Sequence, residues 1–129
     1  MKTEKKLLFF VDDDALYLKF LEIEFSQNKE YEIRTFATGE LCIENMSLNP
    51  DIIVLDYHLN GVNENAINGL QTLDLIKKEN AQVPVVILSS QDKIEVAVNC
   101  MKHKAFDYIV KSETAPLRLQ KTIATILTI

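Results

Sequence analysis

A chain of 129 residues is the size of one compact domain and too short for two. Hydrophobic residues make up 47% and charged residues 26%, a balance that argues against disorder. Fourteen Lys and Arg against nineteen Asp and Glu leave a formal charge of −5, poorly matched to phosphate backbones, so no direct nucleic-acid binding is expected. The longest strictly apolar run, Leu7–Val11, falls far short of the ~20 residues of a membrane span, so no membrane partner is expected either. It ends in aspartates where a signal peptide would need small residues. Cys42 and Cys100 are too few for a disulfide framework and lack metal-ligand spacing, which points to a soluble protein of the reducing cytoplasm.

Along the chain, Leu7–Val11 reads as a strand covered on both faces. Residues 15–26 follow, with Leu18, Leu21 and Phe25 on one helical face and Asp14 as N-cap; Leu21–Phe25 also alternates as a strand would, but length favours helix. Tyr31–Phe36 alternates and fits an edge strand, and Thr38-Gly39-Glu40 introduces a shorter helix. Ile52–Leu55 is a second continuous apolar run, followed by a helix marked by Leu70, Leu73 and Ile76. Val85–Leu88 is a third such run, and Ile94, Ala97, Val98 and Met101 repeat at helical spacing after it. Phe106–Val110 is the last strand. Leu119, Ile123, Ile126 and Leu127 mark the last helix, with Pro116 in its first turn. Cys42, Cys100, Met46 and Met101 read as packing residues. The order is βα repeated five times, an open, doubly wound α/β domain with a parallel sheet.

Ligands bind such sheets at the carboxyl ends of the strands. Strand one runs into Asp12-Asp13-Asp14, strand three ends in Asp56, strand four in Ser89-Ser90 and strand five in Lys111. Two carboxylates ~4 Å apart repel by about 4 kcal/mol at an effective dielectric of 20, so the cluster calls for a cation beyond one lysine. A hard divalent ion with oxygen ligands, Mg2+ or Mn2+, suits it, and no thiolates or paired imidazoles favour zinc. A carboxylate in such a site can act as nucleophile toward phosphorus and form an aspartyl-phosphate.

Val11-Asp12-Asp13-Asp14, Asp56 after Ile52–Leu55, Pro84–Ser90 and Ala105–Lys111 together resemble the receiver domain of two-component response regulators, over residues 7 to about 127. The resemblance implies the CheY-like, flavodoxin-like fold with strand order 2-1-3-4-5, and one receiver domain over 1–129 with no output domain in this chain. It implies Asp56 as phospho-acceptor, Asp13 as direct metal ligand, Asp12 as a ligand acting through water, and the backbone carbonyl of His58 as a further ligand. It implies that Ser89 and Lys111 contact the phosphoryl group and that Tyr108 is a switch residue moving with Ser89. Gln91 falls at a position that tunes water access, and the His58 imidazole could reach the phosphate. Donors would be a histidine kinase or a histidine phosphotransfer protein. Output would pass to a protein partner through the face of the fourth helix, fifth strand and fifth helix, with the chain a monomer or a phosphorylation-dependent dimer. Its chemistry would be its own phosphorylation and dephosphorylation, without turnover of a separate substrate.

The sequence departs from the family at three places. Asn60 stands where Pro is usual; Gly69 lies thirteen residues past Asp56 rather than eight, implying five inserted residues within 61–68; and Ser112 replaces the Pro that often follows the lysine through a cis bond. Two other readings stay open: a phosphorylation-independent pseudo-receiver, and an aspartyl-nucleophile phosphohydrolase of the haloacid dehalogenase type using Asp12 and Asp14.

Overall fold

The computed structural model describes residues 5–128, so the outermost residues of the expected domain, 1–4 and 129, lie outside the described residues. In chain order the elements are β1 (Lys6–Val11), α1 (Ala15–Ser26), β2 (Tyr31–Phe36), α2 (Gly39–Glu44), a 3-10 turn (Met46–Leu48), β3 (Ile52–Leu55), α3 (Gly69–Glu79), β4 (Val85–Ser89), α4 (Ile94–Lys102), β5 (Asp107–Val110) and α5 (Ala115–Leu127). All strand pairings are parallel and the sheet order is β2-β1-β3-β4-β5, the flavodoxin-like arrangement. None of the helices among the described residues is long and apolar enough to cross a membrane.

Successive side chains of a strand point to opposite faces, which explains why β1, β3 and β4 are apolar throughout. Leu8, Phe10, Ile52, Val54, Val86 and Leu88 pack under α1 and α5 against Leu21, Phe25, Leu119 and Ile123. Phe9, Val11, Ile53, Leu55, Val85 and Ile87 pack on the other face against Cys42 of α2, Leu73 and Ile76 of α3 and Cys100 of α4. β2 lies at the edge of the sheet, and its residues are only half-buried or exposed. Asp14 caps α1 as expected, its Oδ1 accepting from the N–H groups of Leu16 (3.1 Å) and Tyr17 (3.2 Å). Burial holds the Cys42 thiol up at about 12 and the Cys100 thiol at about 11, as befits packing residues.

Two local readings need correction. Phe106 lies outside β5 and is 44% exposed, because the chain turns just before it through Lys104 at φ 77°. Met101, expected to pack, is also 44% exposed, and Ile94 and Val98 on the same stripe stand open to solvent. The helix is turned so that Cys100, Val96 and Ala97 meet the core; Ala97 belongs to both stripes, which is why spacing alone misplaced the buried face. The 3-10 turn after α2 carries no distinctive sequence signal.

The start of α3 matters most for the site. Asn68 and Gln71 form a reciprocal capping box, with the Asn68 side chain accepting from the Gln71 N–H (2.8 Å) and the Gln71 side chain accepting from the Asn68 N–H (2.9 Å). The Gly69 N–H donates to the Tyr57 carbonyl (2.8 Å). A Cβ at Gly69 would lie 2.6 Å from Tyr57 Cα and against the Asp56 carbonyl, backbone atoms that cannot swing away. Gly69→Ala is therefore expected to lower stability by about 2–3 kcal/mol, measurable by urea denaturation.

Candidate functional site at the carboxyl edge of the sheet

Parallel register brings the polar residues together. Val11 pairs with Leu55, and Leu55 with Ile87, so Asp12 and Asp56 leave adjacent strands side by side and Ser89 ends the next. Backbone hydrogen bonds extend this alignment past the strands: the Asp56 N–H donates to the Val11 carbonyl (2.8 Å) and the Lys111 N–H to the Ser89 carbonyl (2.7 Å).

Asp12 is 3% exposed and Asp56 6%, yet neither is neutralised within the backbone. Asp12 Oδ1 accepts from the Asp14 N–H (2.9 Å), and its Oδ2 accepts from Lys111 Nζ (2.8 Å). Lys111 Nζ also lies 3.6 Å from Asp56 Oδ1 and 4.4 Å from the centroid of the Tyr17 ring, a cation–π contact that braces it from α1. Burial and then the Asp12 charge push the Asp56 carboxyl up to about 7, with Lys111 and the His58 backbone N–H pulling it back. Burial works against the Lys111 charge, but the Asp12 hydrogen bond and the two carboxylates outweigh it and raise the ammonium's pKa.

Asp12, Asp13 and Asp56 each offer an oxygen within 4.8 Å of the others. Ionised, they exceed the charge of Lys111 by two. An all-oxygen donor set with that surplus fits a hard divalent cation, and no sulfur or imidazole enters the cluster. Both oxygens of the Asp12 carboxylate are thus already engaged. Asp13 is half-buried, and its Oδ2 accepts from the N–H groups of Gly61 (3.0 Å) and Val62 (3.2 Å).

Ser89 is wholly buried, and its Oγ accepts from the Gln91 N–H (3.1 Å). The Tyr108 ring is turned inward, its hydroxyl donating to the Gln91 carbonyl (2.7 Å). His58 is exposed, with its ring edge-on to Tyr57 at 5.0 Å between centroids. His103 pairs with Asp74 on α3 (2.8 Å), away from the strand ends. The Lys111–Ser112 peptide is trans, so the usual cis turn is replaced here. Asp14 is used as a cap, which leaves the Asp-x-Asp pair of a phosphohydrolase without its second member. The sequence reading missed two contributors: Tyr17, an ordinary helical aromatic with no distinguishing signal, and the Gly61 and Val62 amides, whose loop stood out only by its extra length and polarity.

The family model for the response regulator receiver domain matches residues 8–124. Nitrogen assimilation regulatory protein NtrX of Azorhizobium caulinodans is 37% identical over 101 residues, covering 77% of this chain and 21% of that protein. An NtrX-like response regulator of Rickettsia conorii is 46% identical over 105 residues, covering 81% of this chain and 21% of that one. The chain thus spans about a fifth of the length of the curated relatives it matches. The crystal structure of the NtrX receiver domain from Brucella abortus superposes with a TM-score of 0.82 at 28% identity, covering 94% of this chain and 98% of that one.

Asp56 binds its proton more tightly in the folded chain than a free aspartate does, so its ionisation removes stability as pH rises from about 4 to 7. In metal-free buffer at pH 8, Asp56→Asn is expected to be more stable than the parent by about 1–3 kcal/mol, and at pH 4 the gain should shrink toward zero. Thermal melts at the two pH values check the sign.

Proposed function

The chain belongs to the response regulator receiver domain family, and from that membership we propose that it takes a phosphoryl group onto Asp56 from the phosphohistidine of a histidine kinase or a histidine phosphotransfer protein. The observation that carries this reading is the crowding of Asp12, Asp13 and Asp56 around Lys111 Nζ, at 2.8 Å from Asp12 and 3.6 Å from Asp56. An ionised Asp56 oxygen attacks phosphorus, its O–P bond forming as the P–N bond to the donor breaks and the imidazole leaves. Asp12, Asp13, Asp56 and the backbone carbonyl of His58 would hold Mg2+ or Mn2+. That ion, when bound, supplies the positive charge that keeps Asp56 ionised and offsets charge on the phosphoryl oxygens. Lys111 pairs with a phosphoryl oxygen, and the Ser89 hydroxyl donates to another.

Gln91 gives the switch its physical link. Its N–H is held by Ser89 and its carbonyl by Tyr108, so a Ser89 hydroxyl that turns toward a phosphoryl group releases one side of the residue that Tyr108 holds on the other. The change is passed to α4, β5 and α5, where Ile94, Val98 and Met101 offer an apolar stripe to a protein partner.

Intact mass after incubation with acetyl phosphate tests the acceptor. Wild type with Mg2+ should gain one phosphoryl group; wild type with chelator, and Asp56→Ala with Mg2+, should not. A gain retained by Asp56→Ala would overturn the assignment.

A further inference from the structure

The segment between the end of β3 and Gly69 is tied down at both ends by carboxylates from other parts of the chain. Gly61 and Val62 direct their N–H groups at Asp13 Oδ2. At the far end the Ile67 N–H donates to Glu40 Oε2 of α2 (3.0 Å), and Ala66 is buried beneath. A Cβ at Gly61 would stand 3.2 Å from Asp13 Oδ2, so the backbone approaches that oxygen about as closely as a side chain would permit. Asp13 is also one of three carboxylates able to share a cation.

A carboxylate has two oxygens. With Oδ2 held by two amides, rotation of the group is restrained and Oδ1 is left for another partner. The two N–H dipoles also offset part of the repulsion that Asp13 feels from Asp12 and Asp56 before any cation arrives. Hydrogen bonds that orient a metal ligand are worth roughly 10–100-fold in affinity.

We propose that the Gly61 and Val62 amides are a positioning element for the cation site: they fix the Asp13 carboxylate, so ordering of the 61–68 loop and divalent-cation binding favour each other. This rests on the reading above that a divalent cation binds at Asp12, Asp13 and Asp56. Linkage makes the effect reciprocal, so Mg2+ must steady the loop by the factor with which the loop tightens Mg2+. Glu40, outside the site, acts by holding the loop's other end.

Mg2+ titration by calorimetry and amide hydrogen exchange over 59–68, each with and without Mg2+, test this on wild type, Val62→Pro, Glu40→Ala and Glu40→Gln. Val62 has a negative φ, so proline removes its N–H without demanding a left-handed backbone. Mg2+ should slow exchange at Gly61 and Val62 several-fold in wild type. Val62→Pro should raise the Mg2+ Kd about tenfold. Glu40→Ala should raise it by a smaller factor, and Glu40→Gln, which keeps an acceptor oxygen, should restore it. Should Val62→Pro misfold, the Glu40 pair decides the matter alone. Normal Mg2+ binding by wild type with unchanged loop exchange, or variants that bind Mg2+ as well as or more tightly than wild type, would overturn the coupling while leaving the cation site standing. A wild type that binds no Mg2+ would overturn both.

Discussion

Repulsion between Asp12 and Asp56, buried on adjacent strands, is the constraint around which this end of the molecule is organised. A parallel sheet forces it: once Val11 and Leu55 pair, the residues that follow leave the sheet as neighbours. The fold answers with groups from several directions. Lys111 comes from beyond β5 and is braced by Tyr17 of α1, the Asp14 N–H comes from the first turn, and amides of the β3–α3 loop reach Asp13. Burial first, and the Asp12 charge after it, still raise the Asp56 carboxyl despite them. What remains is a site that gains from positive charge and from any group bringing it.

The same crowding separates the two carboxylates functionally. Asp12 has both oxygens engaged, whereas Asp56 has the longer ion pair to Lys111, at 3.6 Å. The less satisfied carboxylate is the one with more to gain from a new partner. Asp14, one residue further, differs again: turned outward to cap α1, it contributes its N–H rather than its carboxylate to the cluster.

Much of this was legible in the sequence because it depends on local order. A buried parallel strand must be apolar throughout, so the polar residue that ends it is conspicuous, and four of them fell where the sheet aligns them. The order of the strands, the Asp14 cap and the buried stripe of α5 followed from period and capping chemistry. The misread face of α4 has a plain cause, which is that periodicity gives a face but not its rotation. Ile94, Val98 and Met101 form as good a stripe as Val96, Ala97 and Cys100, and only the packed sheet chooses between them. Tyr17 was invisible for a related reason, since its contact to Lys111 joins residues ninety-four positions apart with no motif linking them.

The clamp of Gly69 on the strand backbone and the Asn68–Gln71 box has a bearing on how such a chain can change over time. Because α3 is re-registered by those contacts, the exposed residues between buried Leu59 and buried Ala66 behave as a cassette whose length is nearly free. Loop-closure entropy rises by only about 0.6 kcal/mol per doubling of length, so extra residues there need not disturb the helices or the sheet. Variation can accumulate beside the carboxylate cluster with little effect on folding. Chains with one scaffold can therefore diverge in the surface beside Asp56 by exchanging this segment alone.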